Sequence, residues 1–385
     1  MIYISTFENL KAAPGIRKKI YSQARWFAHY INQDVDIILT KDQMVYREVI
    51  TQNGQVLHAE RLFEVNSIFD KSRYYKKLVR DFQRVITGSS VQTKIAYIRT
   101  VLYDKYFLKL LEMLKQQEFK VVLEIPTSTF VKEYINNFPN GWYKFFNFLM
   151  YHKKIYQLAD LIVSIGEIPF ILKDLERKVV VIGNGIDLSE IPKITPPKFE
   201  KELHLIGVAN VAYWHGYDRV IKGLGEYYNH HKDNGYTVVF HVVGEGSELK
   251  KLKKLVQKYS LSDKVIFHGT KFGNDLINIY RNSHIAIGSL GLHRIKFGGN
   301  PIKHREYCAM GIPFVAEAND LDFPDDFPFM LKVPADDSPI NIQQLITFYT
   351  CIRENYPNYP HIMRKYAENT LTWRAKIQKI MEHLI

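Results

Sequence analysis

An α/β protein with two domains in series is the fold class this sequence predicts, on three observations. Short apolar runs alternate with longer segments of helical periodicity, the pattern of a parallel sheet covered by helices. The Pro-rich, aperiodic stretch Ile191-Pro192-Lys193-Ile194-Thr195-Pro196-Pro197 interrupts the alternation once, and the alternation restarts after it. The length of 385 residues suits two or three domains at about 150 residues each.

In the first half, Met1–Ser5 reads as a short buried strand, Gly15–Tyr30 as a helix and Val35–Leu39 as the next strand. Lys94–Ile98 and Lys120–Ile125 follow as strands with the long helix Thr100–Gln117 between them, then Leu161–Ile165 and Lys178–Ile182 flank a short helix. In the second half the strands are His204–Val208, Thr237–Val243, Val265–His268, Ile285–Ser289 and Pro313–Ala316. The helices between them are Asp218–His230, Glu248–Tyr259, Asn274–Arg281 and Lys303–Met310. Met363–Leu384 closes the chain as one helix with Trp373 inside it. No solenoid-length repeat and no low-complexity tract is present.

Composition narrows the function classes. Hydrophobic residues at 46% and charged residues at 24% describe a folded chain, and 25 Tyr with 23 Phe supply a large core. No uninterrupted apolar run reaches ~18 residues, so no transmembrane helix is expected. Met1-Ile2-Tyr3-Ile4-Ser5 lacks the basic and apolar regions of a signal peptide. The two cysteines, Cys308 and Cys351, exclude a disulfide scaffold and a Cys-based zinc module and fit a reducing cytoplasm. Net charge is 52 − 40 = +12, with 28 − 20 = +8 over residues 1–197 and 12 − 4 = +8 over 71–120 alone. A basic first half points to an anionic partner: nucleic acid, anionic lipid or a phosphorylated substrate.

Three glycine-containing turns carry the chemistry. Gly183-Asn184-Gly185-Ile186-Asp187 ends the last strand of the first half in a sharp turn. Gly244-Glu245-Gly246-Ser247-Glu248-Leu249 lies between a strand and a helix, but Leu249 stands at the third glycine position of a dinucleotide fingerprint and no acid follows at the required distance. It reads as a turn that lets a loop approach a ligand closely. Gly298-Gly299-Asn300-Pro301-Ile302-Lys303-His304-Arg305-Glu306 opens a helix at Pro301. Free N–H groups at such an end, with Lys303 and Arg305 beside them, suit a phosphate, and Glu306 suits ribose hydroxyls. The bland alternative is a plain surface helix start.

Together with Gly207, Trp214-His215-Gly216-Tyr217-Asp218-Arg219, Val265-Ile266-Phe267-His268-Gly269 and Glu306-Tyr307-Cys308-Ala309-Met310-Gly311-Ile312-Pro313-Phe314-Val315, these turns resemble the nucleotide-sugar half of the retaining GT-B glycosyltransferases. The resemblance is specific over about 180–320. It implies an α/β GT-B fold, two Rossmann-like domains with a cleft between them. The domains would be 1–188, completed by a returning C-terminal helix at about 368–385, a linker at 189–200, and 201–367. Glu306 matches the second Glu of the family's Glu-x7-Glu, while the first falls on Gly298, so backbone of Gly298 to Asn300 would substitute. The family's two diphosphate-binding basic residues fall on Val208 and His215. The resemblance leaves Arg219, Arg294, Lys296 or Lys303 to supply the charge, Lys303 ranking first. The implied donor set is Gly15, Ile16, Gly207, His215, Gly216, Arg219, Gly244, Thr270, Arg294, Gly298, Gly299, Asn300, Pro301, Ile302, Lys303 and Glu306. Thr270 would read the base. Lys303 and Glu124 are the catalytic candidates, Glu124 because it ends a strand where doubly wound sheets bind ligands, with a structural carboxylate as the alternative.

Asp320-Leu321-Asp322 and Asp34-Val35-Asp36 spell Asp-x-Asp, but chance matches are expected among 40 acids, and neither they nor His230-His231 are read as metal ligands. Lys71–Ile86 combines apolar positions at helical spacing with six basic residues, suiting either an anionic membrane or a helix with its apolar face in the core. Trp142–Tyr151 is aromatic, with core packing the safer reading and a membrane or subunit contact the alternative. The expected activity is transfer of a sugar from a nucleotide-sugar, UDP-sugar favoured, to a glycan, lipid-linked or protein acceptor, with retention and without metal or cofactor. A cytoplasmic enzyme peripheral to the inner face of a membrane fits this, as does a homo-oligomer or partner protein. The rival readings are a non-catalytic GT-B partner-binding subunit and a nucleic-acid binder, the latter with no recognition motif to support it.

Overall fold

The computed structural model describes residues 1–5, 14–65, 73–87, 93–100, 102–127, 131, 134–135, 140–169, 172, 177–230, 235–295, 300–317 and 320–384. It divides into two compact units, Met1–Gly185 with Trp373–Ile385, and Ile186–Thr372.

In the first unit the described strands are β1 (Ile2–Ser5), β2 (Val35–Lys41), β3 (Met44–Ile50), β4 (Val56–Glu64), β5 (Ile95–Arg99), β6 (Lys120–Ile125), β7 (Leu161–Ile165) and β8 (Val179–Ile182). They form one eight-stranded sheet in the order β4-β3-β2-β1-β5-β6-β7-β8. Its helices are α1 (Pro14–Ile31), α2 (Tyr74–Arg80), α3 (Phe82–Thr87), α4 (Lys105–Gln116) and α5 (Asn140–Leu158). Side chains alternate along the strands. Ile4, Ile38, Ile98 and Leu123 face one core with α4, while Tyr3, Ile37, Tyr97 and Val122 face another with α1. α4 starts where the Asp104 carboxylate accepts from the Tyr106 and Phe107 N–H groups, five residues later than the sequence pattern suggests.

β3 and β4 have no counterpart in the sequence reading. They add an antiparallel meander to a sheet otherwise parallel. The β2–β3 turn is built from Asp42 and Gln43, both with positive φ, the tight geometry that suits twisted hairpins. Neither is glycine, which is why the turn escapes notice. The short helix expected between Ile165 and Lys178 falls largely outside the described residues.

The second unit has β9 (Glu202–Val208), β10 (Thr237–Val243), β11 (Val265–Gly269), β12 (Ile285–Ile287), β13 (Phe314–Ala316) and β14 (Met330–Lys332) in one parallel sheet, order β11-β10-β9-β12-β13-β14. Its helices are α6 (Tyr217–His230), α7 (Leu249–Lys258), α8 (Gly273–Arg281), α9 (Ile302–Met310), α10 (Ile342–Asn355) and α11 (Tyr359–Tyr366). The Pro-rich segment packs onto this unit rather than hanging free. Ile191 and Ile194 are buried in its core, and the Ile194 N–H donates to Met310 O at 2.8 Å.

The single C-terminal helix expected from the sequence is broken. After α11 comes a π-turn, Ala367–Leu371, then extended Thr372, then α12 (Trp373–Leu384). The break is held by the Ile186 N–H donating to Leu371 O at 2.9 Å and by a parallel bridge between Ile186 and Thr372. Trp373 covers Gly185, where an added Cβ would lie 2.5 Å from its ring. α12 then packs on α1, placing Ile377, Ile380, Met381 and Leu384 in the first unit's core.

Candidate functional site

In the second unit, strand order reverses direction between β9 and β12. From β9 the chain steps outward to β10 and β11, then returns to β12 and steps the other way. Open parallel sheets bind ligands at the carboxyl ends of the strands flanking such a point. Gly207, Gly244, Thr270 and Gly288 all stand at those ends, and α9 starts beside them.

The glycines let these ends close on one another. Gly244 has φ +120° and an added Cβ would lie 1.9 Å from Ala209 O. Gly216 has φ +66° and would drive a Cβ to 2.5 Å from the Leu290 carbonyl carbon. The short 3-10 turn Tyr213–His215 is thereby held against the β12 end, with the Leu290 and Gly291 N–H groups donating to His215 O and Trp214 O.

Two groups of opposite origin meet here. The Ala212 N–H donates to His215 Nδ1 at 3.1 Å, so the neutral ring carries its proton on Nε2. Burial, then the charge of Lys303, pushes the His215 pKa down to about 3. Lys303, in the first turn of α9, has a solvent-sealed Nζ with no hydrogen-bond partner. Burial pushes its pKa down to about 7, against the opposing pull of Glu306 one turn on. An ammonium desolvated without an anion is a costly arrangement. Close enough to His215 for their charges to couple, and at the amino end of a helix, it suits a negatively charged group.

Residues 189–359 match the family Glycosyl transferases group 1. An uncharacterized glycosyltransferase of Methanocaldococcus jannaschii is 30% identical over 146 residues, 36% of this chain and 36% of that protein. The aligned stretch thus spans about a third of that curated relative. Solved structures extend the likeness to the whole chain. Sucrose-phosphate synthase from Thermosynechococcus elongatus superposes with a TM-score of 0.58 at 16% identity, covering 99% of this chain and 97% of that one. The lipopolysaccharide outer core galactosyltransferase WaaB gives 0.59 at 12%, covering 100% and 98%. Anabaena HepE, solved in complex with UDP and glucose, gives 0.57 at 13%, covering 100% and 99%. The fold is therefore that of the GT-B glycosyltransferases.

Within the group 1 region the expected donor residues fare differently. His215, Gly216, Gly244, Lys303 and Glu306 gather around the switch point. Pro301 caps α9 and Ile302 is its first residue, with the Ile302 side chain 45% exposed. Thr270 is exposed just after Gly269. Gly207 serves packing: an added Cβ would lie 2.6 Å from the Tyr217 ring. Asn300 is turned to Asp320, donating through Nδ2 at 3.1 Å. Gly298, Gly299 and Lys296 lie outside the described residues.

Three expected cations are corrected. Arg219 is fully buried and donates to the carbonyls of Ser338, Leu290 and Pro334 at 2.8, 2.6 and 3.0 Å, with Glu317 and Asp336 nearby. Its guanidinium is a structural brace. Arg294 binds Asp218, Asp337 and Tyr213 O, so its charge is already answered. Arg305 is buried between Asp320 and Asp322, at 2.6 and 2.5 Å. The same pairing accounts for the Asp-x-Asp sequence there: both carboxylates hold an arginine. Among the described residues, Lys303 is the cation of the predicted set without an acceptor within hydrogen-bond reach.

In the first unit Gly15 lies open in the first turn of α1, and Ile16 packs partly against the core. Glu124 is corrected as a catalytic candidate. It is fully buried, and its carboxylate receives Gln23 Nε2 at 2.8 Å, Tyr97 Oη at 2.6 Å, Arg99 Nε at 3.2 Å and Lys19 Nζ at 2.9 Å. Burial would raise its pKa, but Lys19 and Arg99 hold it at about 2, too weak a base for proton removal.

One residue of the site escapes sequence reasoning. Glu317 accepts from the Leu292 and His293 N–H groups at 3.2 and 2.7 Å, with His293 Nδ1 lying 2.9 Å from Oε2, fixing the segment after β12. Its signal is local only: a carboxylate just beyond a buried strand, at the edge where ligands bind.

Proposed function

We propose that this chain transfers a sugar from a nucleotide-diphosphate sugar to an acceptor hydroxyl, with the donor's diphosphate seated at the switch point of the second unit. The observation that carries this reading is Lys303: at a helix start, a desolvated ammonium without a hydrogen-bond partner among the described residues, electrostatically coupled to the neutral imidazole of His215. In the transfer, the bond from the sugar's anomeric carbon to the phosphate oxygen breaks and its electron pair stays on that oxygen. The acceptor oxygen bonds to the same carbon and loses its proton. Charge thus grows on the diphosphate, where Lys303, the His215 N–H and the first N–H groups of α9 stabilise it most. Glu306, one turn in, is proposed to hold ribose hydroxyls.

HepE in complex with UDP and glucose supports a UDP-sugar as the first donor to try. The acceptor is proposed to be a glycan, lipid-linked or protein, and the transfer to retain configuration without metal, since the Lys303 ammonium and the N–H groups of the helix start answer the phosphate charge. Calorimetric titration with UDP, with and without EDTA, tests the reading. Lys303→Met is expected to weaken binding by about 1.5–3 kcal/mol, the worth of a charge-assisted hydrogen bond. Unchanged affinity in Lys303→Met, or binding abolished by EDTA and restored by Mn²⁺, would refute the assignment.

A further inference from the structure

The basic segment singled out in the sequence does not offer its apolar side to a partner. Tyr74, Tyr75 and Leu78 of α2 and Phe82 and Val85 of α3 are buried in the first unit's core. Three of its six cations are engaged: Arg80 with Asp81, Arg84 with Glu60, Lys77 with Glu64 O. The chain even breaks the helix at Asp81.

α5 shows the reverse. Phe148, Ile155 and Tyr156 anchor one side of it in the core. The opposite side carries Trp142 at 46%, Tyr143 at 53%, Phe146 at 53%, Leu149 at 49% and Met150 at 63% exposure. These positions share one helical face over about 12 Å of helix at 1.5 Å per residue. Trp142 and Phe146 pack edge-on at 6.1 Å, and the Trp142 indole donates to Ile135 O at 3.2 Å, so the aromatic pair is held in place while exposed. Lys153 and Lys154 continue the same face for the next turn, both exposed. The helix Asn140–Leu158 contains no Asp or Glu.

We propose that the exposed face of α5 docks the protein on an anionic lipid surface, lying in the interface with Trp142, Phe146 and Met150 among the acyl chains and Lys153 and Lys154 at the headgroups. Aromatic and long apolar side chains flanked by lysines are the composition of a helix that lies in a membrane interface. Charge decides the occupant. Two copies meeting through this face would bring like-charged, acid-free surfaces together, which an isologous contact cannot relieve. Anionic headgroups complement it, and the chain's net charge of +12 adds long-range attraction. The proposal stands apart from the transfer reaction, since vesicle binding is read without donor or acceptor.

The test is sedimentation of the full chain with vesicles of phosphatidylcholine alone or with phosphatidylglycerol. The wild type is expected to pellet with the anionic vesicles and to be released by high salt. Trp142→Ala/Phe146→Ala is expected to lose binding by roughly tenfold or more. Lys153→Gln/Lys154→Gln should lose about fivefold per lysine, the worth of ~1 kcal/mol each near such a surface. Lys76→Gln/Lys77→Gln should bind as wild type. All six positions are exposed or partly exposed, and equal urea midpoints would exclude misfolding as the cause. Failure of the wild type to pellet at low salt, or equal pelleting of Trp142→Ala/Phe146→Ala, overturns the proposal. So does light scattering that shows a dimer which this double variant dissolves, since the face would then be a self-interface.

Discussion

Burial without an acceptor brings the Lys303 ammonium to about 7, so its charge changes within the physiological range. A bound diphosphate favours the charged form and raises that value, so binding takes up a proton above pH 7. The affinity for UDP should therefore be flat below pH 7 and fall above it, by up to tenfold per unit, with the slope absent in Lys303→Met. Glu124 obeys the opposite logic. Its carboxylate is neutralised by Lys19 and Arg99 inside the core, and removing it takes from both cations the buried carboxylate they pair with. Glu124→Ala should cost about 3–5 kcal/mol in urea unfolding, the scale for breaking a buried pair, and leave UDP affinity unchanged. A loss of transfer in a fully stable Glu124→Gln would restore the catalytic reading. In sequence both are charges at an element end, Glu124 at the close of an apolar strand and Lys303 at a helix start. What separates them is whether a counter-charge lies within reach, and for Glu124 the partners stand 25 and more positions away along the chain.

At the level of elements, the second sheet carries a ladder of imidazoles that no spacing rule marks. His204 Nδ1 meets His241 Nε2 at 2.9 Å and His241 Nδ1 meets His268 Nε2 at 2.9 Å, across three adjacent strands, while the His204 N–H donates to His284 Nδ1. Around them lie Glu202 beside His204, Lys271 beside His268, and Arg353 and the Lys198 carbonyl beside His284. Burial, then the neighbouring His204 and His268, holds His241 at about 4; burial and His204 hold His284 at about 4. A histidine lowered on folding contributes stability that is complete above its unfolded value near 6.5 and is lost as pH falls toward 4. The unfolding midpoint should therefore drop between pH 7 and 4.5, and His241→Gln should flatten part of that slope. An unchanged pH profile in His241→Gln would remove the ladder from the account. Helix faces teach a similar point. Periodicity identifies α2 and α5 as two-faced, but which face meets the core depends on the strands each one crosses. The sequence reading left core or membrane open for both, and the fold buries the apolar side of α2 while aromatics of α5 stay exposed.

For the molecule as a whole, the first unit is completed by residues from the far end of the chain. α12 contributes Trp373, Ile377, Ile380, Met381 and Leu384 to its core. At about 1.5–3 kcal/mol per buried side chain, their loss is as large as the margin by which a domain is stable, about 5–15 kcal/mol. Ending the chain at Thr372 should unfold the first unit and leave UDP binding by the second. Hydrogen exchange on the truncated protein checks this, and protection retained in β1 and β5 would contradict it.

The α/β class, the alternating strands and helices from β9 to β13, and the start of α9 were legible because they depend on neighbours within a few residues. Apolar period, glycine placement and a helix start are local properties of the chain. The β2–β3 turn lay beyond them because Asp42 and Gln43 adopt positive φ without glycine. The fates of Arg219, Arg294, Arg305 and Glu124 lay beyond them for another reason. A charge becomes a brace or a receptor according to which oppositely charged groups the fold delivers to it, and Arg219 finds its carbonyls 71 to 119 residues away. The sequence by itself determined where strands, turns and the start of α9 would form. Only the tertiary structure decided which of their charges were already spent and which faces stayed open, because both depend on contacts between segments distant along the chain.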